Sequence, residues 1–126
     1  MRLVLIFLEI PVTIYTQNHQ LIYDLLGESR GSLGTRKQLT GDLAVRYDNA
    51  KIRTAFGLAE MVQITLIVAE DITERVGASL IVDWLLKKLN TKEAQVTKLE
   101  IDKVPVELDE GAIKKAVSER LKETRQ

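Results

Sequence analysis

Between residues 73 and 90 the chain reads TERVGASLIVDWLLKKLN, and its polar residues Arg75, Ser79, Asp83 and Lys87 recur at intervals of four. That spacing places them on one face of a helix. Val76, Ala78, Leu80, Ile81, Val82, Trp84, Leu85, Leu86 and Leu89 are nine of the other fourteen residues. A surface helix carries one apolar stripe on an otherwise polar cylinder; here the proportion is reversed. The segment therefore needs cover on most sides, from its own chain or from another. Asp71 with Glu74 three residues on fits a capping box at its start. Lys87 and Lys88 suit the negative end of its dipole.

The other elements follow from period and punctuation. Residues 1–10 form a continuous, branched apolar run, the pattern of a strand buried on both faces, which Pro11 should end. Leu21, Ile22, Leu25 and Leu26 share a short helical face before Gly27, a C-cap position. Residues 27–41 hold four glycines, two serines and two threonines in fifteen positions and read as a flexible loop. In residues 42–56, Leu43, Val45 and Tyr47, then Ile52, Thr54 and Phe56, alternate with polar neighbours. Asp48-Asn49-Ala50-Lys51 is a plausible hairpin turn between two strands, and one long bent strand is the alternative. Residues 57–69 are ambiguous: Leu58, Met61, Val62, Thr65, Leu66 and Ala69 share a helical face, while residues 63–68 alone would pass for a buried strand. We take the helix. Residues 96–108 read as a hairpin with Asp102-Lys103 as its turn and Pro105 on an edge arm. Asp109 caps a last helix with Ile113, Ala116, Val117 and Leu121 on its apolar stripe. The expected architecture is one α+β domain over residues 1–126. A mostly antiparallel sheet includes residues 2–10, 43–56 and 99–108, the apolar helix packs centrally, and the C-terminal helix covers part of the sheet.

Composition narrows the possibilities. Hydrophobic residues make up 45% of the chain and aromatic ones 5%, so the core is aliphatic. The 18 basic and 18 acidic residues cancel. A nucleic-acid binder usually carries a basic excess, so none is expected as a partner. Zero net charge also favours association. There is no cysteine, which excludes disulfides and thiolate chemistry and fits a reducing cytoplasm. The apolar run at residues 3–8 ends at Glu9, shorter than a secretory core, and no stretch reaches the ~20 apolar residues of a membrane span.

Candidate chemistry is sparse. His19 is the only histidine, which rules out any site of several imidazoles within one chain. Glu70, Asp71 and Glu74 are the densest acids and suit a helix N-terminus better than a metal. No metal or cofactor is expected, and the chain reads as a non-enzyme. The glycines of the 27–37 loop, with Arg30, Arg36 and Lys37, could cradle an anion, yet they match neither the P-loop nor the dinucleotide spacing. Asp83 is best read as part of the wet stripe, paired with Lys87.

The apolar stretch ending in DWLLKKL, the hairpin VTKLEIDKVPVEL and the helix DEGAIKKAVSERLKE follow one another over residues 57–124. In that order they resemble the small effector-associated constant-component domains of bacterial conflict and signalling systems. The resemblance implies a bacterial, non-enzymatic adaptor with an effector protein as partner. The chain departs from that pattern at Asp102-Lys103, where such domains tend to carry Asp-Gly, and at the charged stretch 70–75. The leading expectation is an interaction module that forms homo-oligomers through the 73–90 helix, with Val76, Leu80, Trp84 and Leu85 as interface anchors. The alternative is a small-molecule or anion-binding domain that uses the 27–37 loop.

Overall fold

The computed structural model describes residues 7–18, 21–26, 34–53, 59–69 and 72–124. The architecture is α+β. Six strands form one antiparallel sheet: β1 (Phe7–Thr16), β2 (Arg36–Gln38), β3 (Leu43–Arg53), β4 (Ala59–Ala69), β5 (Val96–Ile101) and β6 (Val104–Pro105), in the order β2-β3-β4-β1-β5-β6. Three helices accompany it among the described residues: α1 (Leu21–Leu26), α2 (Glu74–Leu89) and α3 (Glu110–Thr124). Both β4 and β5 pair antiparallel with β1, so they run parallel to each other and α2 is the crossover between them.

Period two sets the faces of the sheet. Leu8, Ile10, Val12 and Ile14 of β1 stand opposite Val68, Leu66, Ile64 and Val62 of β4, and all eight are buried. Leu43 and Val45 of β3 and Leu99 and Ile101 of β5 extend these rows. On them pack Leu21, Leu25 and Leu26 of α1, Ala78, Ile81, Val82, Leu85 and Leu89 of α2, and Ile113, Val117 and Leu121 of α3. Gly77 marks the closest approach: a Cβ there would stand 3.4 Å from Val68 of β4, from Ile72 and from Leu121 of α3.

Five expectations are corrected. Residues 59–69 are a strand, not a helix; β4 lies between β3 and β1, where its β-branched residues pack on both faces. Pro11 does not end β1. Its carbonyl accepts from the Asp102 N–H at 2.8 Å, at the end of the β1/β5 ladder, so its missing N–H falls where pairing is already finishing. Asp48-Asn49 is not a turn but a bulge inside one long β3, the arrangement first ranked second. The 27–41 segment is not wholly loop, because β2 lies within it; residues 27–33 and the start of the expected first strand, residues 1–6, lie outside the described residues. The cap of α2 is Thr73, whose hydroxyl accepts from the Val76 N–H at 3.2 Å, while Asp71 lies outside the described residues.

The C-terminal expectations hold. Asp109 caps α3 by accepting from the Ala112 N–H at 2.9 Å. Pro105 sits on β6, an edge strand. Asp102 and Lys103 both adopt positive φ, 52° and 68°, the conformation of a type I′ turn made without glycine. The Asp102 carboxylate also accepts from Arg120 Nη1 at 3.0 Å, which ties the hairpin to α3.

Candidate functional site

The most distinctive surface lies on one flank of α2. A groove of about 380 Å³ runs between α2 and the β2 edge. Leu80, Asp83, Trp84, Lys87 and Lys88 form its helix wall, and Lys37, Gln38, Leu39, Thr40 and Leu43 its other wall. Local rules place each group. Leu80 and Trp84 are one turn apart, as are Asp83 and Lys87, so the helix carries an apolar row beside a polar one. Lys37 reaches the groove because β2 pairs with β3 through Lys37 and Val45, and Val45 belongs to the helix-covered face. Leu39 and Thr40 N–H groups both donate to the Leu43 carbonyl, at 2.9 and 3.0 Å, and close the loop that forms the groove's far end.

The expected anchors separate. Leu85 is wholly buried in the core of its own chain, so it is withdrawn as an interface anchor. Leu80 and Trp84 are half-buried against the core, and Val76 is 46% exposed. Val76 lines a second groove, between α2 and α3, with Arg75, Ser79, Glu110 and Lys114. The reason given for self-association, lack of cover within one chain, therefore falls: the sheet and α3 enclose most of α2. The polar stripe is the exposed one, as its spacing predicts, although among the described residues the ion pairs do not join Asp83 to Lys87.

The expected anion set is not brought together. Arg36 stands opposite Arg46, on the face of the sheet away from the helices, whereas Lys37 faces the groove; neighbours on a strand point to opposite faces. Arg30 and His19 lie outside the described residues. Sequence reasoning assigned Lys87 and Lys88 to the helix dipole, and Lys87 also to a pair with Asp83 on the polar stripe. It missed that β2 would bring Lys37 beside them, because nothing in a three-residue strand inside a Gly/Ser-rich stretch announces its pairing.

The Trp84 indole N–H is buried and has no hydrogen-bond partner among the described residues. A buried donor left unpaired costs about 1–3 kcal/mol. The ring is therefore held by packing alone, at a position that an acceptor would improve.

A second polar cluster occupies the helix-free face. Arg46 donates from Nη1 to Glu9 and from Nε to Asp48, each at 2.8 Å, and from Nη2 to Thr65 at 3.2 Å. The Thr65 hydroxyl donates in turn to Asp48. Hydrogen bonding to Asp48, then to Glu9, raises the Arg46 pKa above its usual value. This network joins β1, β3 and β4 and uses the guanidinium internally, which is a structural role. It also explains the misread turn, since Asp48 is held on the sheet by its neighbours. Among the described residues no group of three His, Cys, Asp or Glu side chains is placed to hold a metal ion, and no helix is long and apolar enough to cross a membrane.

The fold defines the class of the molecule as an antiparallel α+β sheet with its principal helices on one face. No family model, curated protein or solved structure matches the chain.

Proposed function

We propose that this protein is a non-enzymatic protein-interaction module that receives its partner on the open flank of α2. The observation that carries the reading is the Leu80–Trp84 row: a large aromatic and an aliphatic side chain, half-buried, on the wall of a groove that the described residues leave open. Trp is among the residues that concentrate binding energy at interfaces when seated in a partly preformed depression. Of the residues of the small-molecule alternative, Arg36 and Lys37 fall on opposite faces of the sheet, and Arg30 lies outside the described residues.

The test is affinity purification with wild-type, Trp84→Ala and Val76→Ser proteins, followed by binding measurements with the purified partner. Wild type and Val76→Ser are expected to retain a partner that Trp84→Ala loses by tenfold or more, roughly the cost of one hot-spot residue. Equal retention by all three would remove the α2 flank as the binding surface. Sedimentation of the same proteins shows whether that partner is a second copy of the chain.

A further inference from the structure

We infer that the groove receives an acidic segment of a different chain, with an apolar side chain seated against Leu80 and Trp84 and carboxylates among Lys37, Lys87 and Lys88. This rests on the reading of α2 as an interaction surface and adds the chemistry of the partner.

Charge carries the argument. The chain as a whole is neutral, with 18 basic and 18 acidic residues. The groove is not: its walls hold three lysines and one carboxylate, Asp83. Among the described residues none of the three lysines is engaged in an ion pair. The helix dipole accounts for a basic last turn, and so for Lys87 and Lys88. It gives no reason for Lys37, which arrives from β2 and adds its charge to the same groove. A local excess assembled from two elements distant in sequence favours an anionic occupant and raises its rate of encounter.

The floor selects among anions. Leu39 and the wholly buried Leu43 line the same groove as the lysines and the tryptophan. An aliphatic floor suits an apolar side chain and gives nothing to a phosphate chain; one aromatic ring is a poor platform for successive bases. A second copy of the protein fits poorly as well. A two-fold interface sets a patch against itself, which here would bring lysines against lysines.

The chain's single tryptophan is Trp84, so its fluorescence reports from the groove in the intact protein. The probe is a synthetic peptide of alternating glutamate and leucine; an alternating lysine–leucine peptide and a single-stranded oligonucleotide are the comparisons. The acidic peptide is expected to give a saturable change in Trp84 emission that weakens as salt is added. The triple variant Lys37→Gln, Lys87→Gln, Lys88→Gln, checked for native circular dichroism, should bind it roughly three- to tenfold more weakly, as expected for the loss of a few exposed charge pairs. Leu80→Ser should weaken it by a similar factor without changing the salt dependence. No response to the acidic peptide, an equal response to the basic one, or tighter binding of the oligonucleotide would overturn the inference. Should any of these occur while Trp84→Ala still loses a purified partner, the interaction-module reading stands and only the acidic chemistry falls.

Discussion

One flank of α2 packs on a fifteen-residue helix, with a groove left at Val76; the other is bordered by a three-residue strand. On the α3 side, Ile113, Val117 and Leu121 are wholly buried, and Leu121 comes against Gly77. On the β2 side, Leu80 and Trp84 remain half-buried beside a groove. Both flanks are offered by the same helix and both are apolar. The difference lies in the neighbour: a helix of four turns can cover a helix along its length, and a strand of three residues cannot. An apolar pattern therefore states how much surface wants cover, and the lengths of the flanking elements decide where cover stops and a binding surface begins.

Truncation on the two sides is the strongest way to break that contrast. Leu121→Ala removes a wholly buried side chain from the closed flank and should cost about 2–5 kcal/mol of stability. Leu80→Ala, on the open flank, removes a side chain that water already reaches and should cost less than about 2 kcal/mol. Urea midpoints at an unchanged slope would measure both. Equal losses would mean that β2 closes its flank as well as α3 does, and the groove would lose its standing as a free surface.

The same contrast explains how much of the molecule was legible beforehand. The α2 and α3 helices and the β5–β6 hairpin were readable because each has a local signature: a polar stripe at intervals of four, an Asp cap, a two-residue turn. The middle strand β4 was not. Eight of its eleven residues are apolar because both its faces pack, and a run so rich in apolar residues has no clear period to read. Pro11 and Asp48 misled for a related reason. Each is a local breaker held by a distant partner, Asp102 of the hairpin in one case and Thr65 of β4 in the other, where the neighbouring Arg46 adds its own hydrogen bond. The groove failed on the same ground. Leu80 and Trp84 were visible as candidates, Leu85 was wrongly grouped with them, and the lysine from β2 could be placed only once its pairing with β3 was known.

A smaller effect should sharpen the description of the closed flank. The hairpin beside α3 turns through Asp102 and Lys103, both at positive φ. Asp102 is partly compensated by Arg120, but Lys103 is fully in a region that side chains with a Cβ disfavour by about 1–2 kcal/mol. Lys103→Gly should therefore raise stability by about 0.5–1 kcal/mol, after the greater freedom that glycine gives the unfolded chain is subtracted. Calorimetry would show a higher midpoint. A lower one would mean that the Lys103 side chain itself holds the turn, and that the clamp on α3 has a second component.

The smallest effect concerns Tyr47 of β3, on the side of the sheet that β2 borders. Burial, and then the negative charge of Glu60, raise its pKa above the usual tyrosine value. The folded state thus holds the neutral phenol more firmly than the unfolded state does. The associated stability is fully present below the ordinary tyrosine range, near pH 10, and is lost as pH rises through the higher folded value. Stability should fall in that alkaline window, and Tyr47→Phe should flatten the fall while leaving neutral-pH behaviour almost unchanged. The phenolate absorbance of the folded protein should show a component that titrates above the ordinary tyrosine range and is absent from Tyr47→Phe. If Tyr47→Phe and wild type lose stability in parallel above pH 10, the ring is better hydrated than its packing indicates. The open side of the molecule would then extend past the groove and along β3.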